Sequence, residues 1–187
     1  LSFDFQLNTV MKKTLILLFL VVVVVATFVL FKGYSNSSNL PEPNYIEFEK
    51  QQVVSFFEWS LIGPTGKTKN IYIDQGNVMI IHFWDAKNSK SVEELETFQK
   101  LYDDYKTKAQ FYFVTSNSQP EVRAFIEKNK YSFPVFFSLS PLPKPLENKI
   151  IPSTYVLNKK GRIIVDSKVS ANWNSDGFRK VLDELVK

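Results

Sequence analysis

The 187-residue chain contains no cysteine and a single histidine, His82. Disulfides, thiolate zinc sites, iron–sulfur clusters and cysteine nucleophiles all need sulfur, so each is excluded. One imidazole cannot by itself hold a metal, and neither a metal nor a cofactor is expected. His82 lies in an apolar run and reads as a hydrogen-bonded core or sheet-end histidine. A hydrolase triad drawn from Ser91, His82 and Asp85 has no Gly-x-Ser-x-Gly elbow to present it, and neighbouring strand residues point to opposite faces. A large excess of one charge is also missing. The net charge is +4, but once Lys12, Lys13, Lys32 and Asp4 are set aside, residues 33–187 hold 20 basic and 18 acidic groups. That near balance excludes a nucleic-acid binder. What is present, 44% hydrophobic with 15% aromatic and 22% charged residues, suits an ordered globular protein.

From Thr14 to Phe31 the chain runs 18 residues without a charge, with Lys12 and Lys13 before it and Lys32 after. As a helix it would rise about 27 Å, close to the roughly 30 Å hydrocarbon core of a bilayer. An uncleaved signal anchor over 14–32 is the leading reading, and a cleaved signal peptide or a buried core helix are the others. The apolar run is longer than a usual signal peptide's, and Ala26 has bulky Phe28 and Phe31 after it. Without cysteine, a lipoprotein-type anchor is excluded. The paired lysines favour a cytoplasmic N-terminal segment, 1–13, and a C-terminal domain on the periplasmic or extracytoplasmic side of the cell membrane. Residues 1–10 precede a Met-Lys-Lys start and carry no functional weight. Residues 33–50 read as a linker, whose small and polar stretch Gly33–Pro43 would span about 18 Å as a coil. Residues 51–187 have the size of one domain.

Within that domain Val53–Ile62 and Asn70–Asp74 flank Gly63-Pro64-Thr65-Gly66-Lys67 and predict an antiparallel hairpin. Val78–Trp84 is a continuous apolar run, suited to a strand buried on both faces. Val92, Leu95, Phe98, Leu101, Tyr102 and Tyr105 predict an amphipathic helix over 89–106. Phe111–Thr115 predicts a strand, and Ser118-Gln-Pro-Glu121 a capped helix start. Ser153–Asn158 and Arg162–Val169 predict a second hairpin, and Ser175 caps a last helix striped by Phe178, Val181, Leu182 and Leu185. The expected fold is α/β, a mixed sheet with helices on both faces.

In this order the motifs resemble the TlpA-like, ResA-type membrane-anchored branch of the thioredoxin superfamily. The resemblance is carried by Gly63–Lys67 before the first core strand, by Ile80–Tyr105, by Tyr131–Val135, and by Ile151–Val156 with the Lys-Lys-Gly-Arg turn. It implies a thioredoxin-like fold with an N-terminal hairpin extension, and a cis peptide bond at Pro152. Counting from Phe83-Trp84, the family's two redox cysteines fall on Asn88 and Ser91. Neither an amide nor an unactivated hydroxyl forms a mixed disulfide, so the family's reaction is not expected and the chain is read as a non-enzyme. Asn88 and Ser91 are N-cap types, Ser91-Val-Glu-Glu94 has capping-box spacing, and Glu94, which matches an acidic residue that tunes cysteine chemistry in ResA-like relatives, is expected to cap.

The functional expectation is a redox-inactive, membrane-tethered domain that binds a polypeptide partner at the former active site. Trp84 would floor the groove, Asn88, Ser89, Lys90 and Ser91 would contact the partner, and Ile151, beside Pro152, would offer backbone hydrogen bonds to an extended chain. The alternatives are packing alone for Trp84, a structural or assembly component of an envelope complex acting through another surface, and a family member carrying the oxidoreductase label without its cysteines. Pro141–Pro145 is read as a surface loop rather than a polyproline ligand.

Overall fold

The computed structural model describes residues 11–24, 39–55, 59–147 and 149–187. Residues 11–24 are helical and exposed, and among the described residues no helix is long and apolar enough to cross a membrane. The expected anchor runs on into 25–32, which with 1–10, the linker start at 33–38 and strand positions 56–58 lies outside the described residues. Two compact units divide at Ser38. The second is described below.

Its seven strands are β1 (Ser60–Ile62), β2 (Thr68–Asn70), β3 (Met79–Trp84), β4 (Gln110–Thr115), β5 (Val135–Ser138), β6 (Ser153–Leu157) and β7 (Ile163–Ser167), in the sheet order β2-β1-β5-β4-β3-β6-β7. β3, β4 and β5 run parallel, while β6, β7, β1 and β2 are attached antiparallel. Three α-helices follow the strands: α1 (Ser89–Tyr105), α2 (Gln119–Asn129) and α3 (Asp176–Val186).

The alternation of the strands sorts their side chains into two cores. Ile80, Trp84, Phe111, Phe113 and Val156 meet Leu95, Phe98 and Leu101 of α1, Val122 of α2, and Phe178 and Leu182 of α3. Met79, Ile81, Phe83, Tyr112 and Tyr155 meet Val54, Trp59, Ile71 and Leu146. All three long helices therefore bury onto one face, which corrects the expectation of helices on both. The crossovers β3-α1-β4 and β4-α2-β5 step in one direction, and right-handed crossovers that do so place their helices on the same side. The other face is covered by short turns and by the N-terminal segment.

The hairpin also differs from the sequence reading. Asn70 ends β2 because its side-chain oxygen accepts the Tyr72 N–H at 2.8 Å, turning Ile71–Asp74 into a 3-10 helix where a strand was expected. Val53 makes only an isolated bridge to Arg162, so among the described residues of Val53–Ile62 the ladder is confined to Ser60–Ile62. β5, which no periodicity announced, joins the hairpin to the parallel core. The expected linker 33–50 is partly docked: Ile46 N–H donates to Ile164 C=O at 2.8 Å, and Asn172 N–H to Pro41 C=O at 2.7 Å. These bonds satisfy backbone groups that would otherwise sit unpaired on the sheet edge and after β7.

The 3-10 turn is held across the sheet by the Tyr112 hydroxyl donating to Asp74, which also pairs with Lys69 at 2.5 Å. Tyr112→Phe removes that bond while keeping the ring. The expected loss is about 1 kcal/mol of unfolding free energy in urea titration, and an unchanged midpoint would show that the turn does not depend on it.

Candidate functional site

Three loops converge at the carboxyl end of β3. The β3-α1 loop is fixed first by its own polar groups. Asp85 Oδ1 accepts from Lys87 N–H at 2.7 Å and from the Asn117 amide at 3.0 Å, Asn117 Oδ1 accepts from Ala86 N–H at 2.9 Å, and Ser91 Oγ accepts from Asp85 N–H at 3.3 Å. Asn88 then starts α1: its Oδ1 accepts the Ser91 N–H at 3.1 Å. The Asn88 Nδ2 points the other way and donates to Ile151 C=O at 3.2 Å. A carboxamide can accept and donate at once, so one side chain caps the helix and ties it to the second loop. The Ile151-Pro152 peptide bond is cis, as the resemblance implied. The third loop is tied in by Ser170 Oγ, which donates to Lys90 C=O at 2.9 Å.

Beneath these loops lies a buried polar pair. Glu94 is fully buried on α1, and its Oε2 accepts from the Ala171 N–H at 3.0 Å and the Trp173 indole N–H at 2.6 Å. Thr97 Oγ1 accepts the Trp173 N–H at 3.2 Å. His82, fully buried on β3, hydrogen-bonds through Nδ1 to Thr154 Oγ1 at 2.9 Å, and its ring lies 4.4 Å from the Phe98 ring, centroid to centroid. The remaining atoms of the two residues, His82 Nε2 and Glu94 Oε1, face each other at 3.8 Å, and neither has a hydrogen-bond partner among the described residues. Burial pushes His82 down to about 3 and Glu94 up to about 7, the latter opposed by the indole and Ala171 hydrogen bonds. Around pH 6 the imidazole of His82 is therefore neutral and the Glu94 carboxyl protonated.

The expected site residues divide by exposure. Ser89, Lys90 and Ile151 reach the surface, Asn88 partly, and Ile150 and Val169 add apolar side chains at the rim. Trp84, Ser91 and Pro152 are buried, and Trp84 packs on Phe125 and Phe133 at 5.5 and 6.4 Å. The Ser91–Glu94 capping box does not form: Asn88 is the cap, one turn earlier, and Glu94 points into the core, where two donors meet it. His82 meets Thr154 and Glu94 rather than Ser91, so no nucleophile system exists there. Among the described residues no group of acidic or histidine side chains could hold a metal. Asn117, Thr154, Ser170 and Trp173 were not singled out in the sequence, because each acts through a partner more than 30 positions away.

The AhpC/TSA family matches over residues 50–165. Sporulation thiol-disulfide oxidoreductase A of Bacillus subtilis (strain 168) is 33% identical over 97 residues, which cover 48% of this chain and 58% of that protein. The match thus spans little more than half that relative's length. Thioredoxin-like protein YneN of the same organism is 25% identical over 119 residues, 62% of this chain and 68% of that one. A solved structure from Chlorobium tepidum, assigned as thiol:disulfide interchange protein DsbE, superposes with a TM-score of 0.61 at 15% identity, covering 73% of this chain and 98% of that one, and this likeness shows the fold.

The two shifts act on stability in opposite directions. Glu94, raised from 4.5, stabilises the fold below its unfolded value, an effect lost as pH rises through about 7. His82, lowered from 6.5, contributes above its unfolded value, and that contribution is lost as pH falls through about 3. Between 4.5 and 6.5 they offset. Glu94→Gln keeps an acceptor for Trp173 and removes the titration, so the variant should gain on the wild type steadily from about pH 4.5 to 7 in urea titrations. A difference independent of pH over that window would contradict the assignment.

Proposed function

The chain belongs to the AhpC/TSA family, with a thioredoxin-like α/β fold, and we propose that it is a redox-inactive, membrane-tethered member of the TlpA/ResA-like branch that binds a polypeptide at the former active-site groove. One observation carries the reading. At the position of the family's first cysteine, the Asn88 carboxamide donates to the carbonyl of Ile151. An amide donor thus already engages the backbone that an extended chain would pair with, and the Ile151 N–H beside it has no acceptor among the described residues. Strand-like recognition needs only such main-chain groups and pockets for alternate side chains. The exposed Ile150, Ile151 and Val169 supply apolar contact, and Ser89 and Lys90 flank them. No step of this recognition uses sulfur.

The tether is supported by the 18-residue uncharged run and its flanking lysines. On the positive-inside rule the groove then lies on the periplasmic or extracytoplasmic side, where the partner is sought. Thiol–disulfide oxidoreductase activity, which the relatives' names describe, requires a thiolate that Asn88 and Ser91 do not offer.

A photoreactive amino acid placed at Lys90 in the full chain, expressed in its own cells, tests the binding. Irradiation should yield a discrete polypeptide adduct, identified by mass spectrometry and lost on Ile151→Arg. Absence of an adduct, or one that persists undiminished in the Ile151→Arg background, would refute binding at this groove.

A further inference from the structure

The end of the sheet opposite the groove has a composition of its own. Met79 at the start of β3 pairs with Gln110 of β4 and Leu157 of β6, so the turns before β3, before β4 and after β6 emerge together. Lys159 Nζ reaches Val186 C=O at 3.2 Å, which brings the end of α3 to the same place. There Lys106, Lys108, Lys159, Lys160, Lys180 and Lys187 stand against Asp103, Asp183 and Glu184, an excess of three positive groups. Residues 33–187 as a whole carry an excess of only two, so the positive charge of the domain is concentrated at this end. Asp74, close by, is already paired with Lys69.

Within this basic end Lys159 shares a concavity with Tyr72, Ile73 and Gln75. Ile73 is 75% exposed and Tyr72 44%. An apolar side chain and a tyrosine beside Lys159, at an end of the sheet rich in lysine, match the boundary of an anionic bilayer. The ammonium groups reach phosphates, while Ile73 and the Tyr72 ring enter the headgroup layer. We propose that this end of the domain docks on an anionic phospholipid surface and turns the Asn88–Ile151 groove away from it. An acidic protein would satisfy the lysines but would leave Ile73 without a matching environment. The docking takes only proximity from the tether reading, and the groove plays no part in it.

The absence of cysteine makes the test direct, since any introduced thiol is the only one to label. The full chain carrying Gln75→Cys, labelled with bimane, is reconstituted in vesicles containing brominated phosphatidylcholine, with or without phosphatidylglycerol. The label should be quenched in the anionic vesicles, remain unquenched in the neutral ones, and be released by high salt. Each lysine near an anionic surface favours contact about fivefold, so Lys159→Gln with Lys160→Gln should lower the docked-to-undocked ratio about 25-fold. A label at Val169→Cys should stay unquenched throughout. The proposal is overturned by equal quenching in both vesicles, by quenching insensitive to the lysine changes, or by quenching at position 169. Failure to sediment with either vesicle overturns docking and tether together, whereas sedimentation with an unquenched label overturns docking alone. A bimane response to added polyglutamate without lipid quenching assigns the surface to an acidic polypeptide and also overturns it.

Discussion

The buried contact between His82 and Glu94 is the constraint on which the site depends. Two ionisable side chains with no access to water cannot both be charged at low cost, and burial accordingly favours the neutral form of each. Their other atoms are then committed outward, through Thr154 to β6 just past Pro152, and through Ala171 and Trp173 to the segment after β7. The three loops of the groove are thus fastened from below by one polar pair, while the Phe98, Phe113 and Trp173 rings close around it. Removing Glu94 would leave the Ala171 N–H and the Trp173 indole N–H without their acceptor inside that aromatic shell.

On the upper side Asn88 completes the same arrangement. An aspartate would cap α1 equally well, but its carboxylate could not donate to Ile151, and a serine would have a single hydroxyl oxygen to serve both ends. Asn88 is therefore a bridge between helix and loop. The proposed recognition surface lies at one end of the sheet and a basic, partly apolar surface at the other.

Much of this was legible in the chain itself. The apolar run before Asn88, the helical spacing from Val92 to Tyr105 and the cap at Ser175 each act through near neighbours, and β3, α1 and α3 formed where those patterns placed them. Legibility ended where distant partners decided. Asn88 and Ser91 are both cap types, and only the depth of Ser91 inside the helix, set by packing against Asp85, selects the first. Glu94 has capping spacing, yet an indole 79 positions away takes its oxygen. β5 is a four-residue strand following Pro134, too short to show a period, and it exists because β4 and the hairpin leave an edge between them.

If sulfur is all that separates this groove from a thiol-exchange site, restoring it should restore the reaction. The direct measurement is dithiothreitol-coupled insulin reduction by the Asn88→Cys/Ser91→Cys double variant, its fold checked by circular dichroism. The account predicts turnover clearly above the buffer rate for the double variant and none for the wild type. A folded double variant no faster than the wild type, or a wild type that itself turns over, would contradict it.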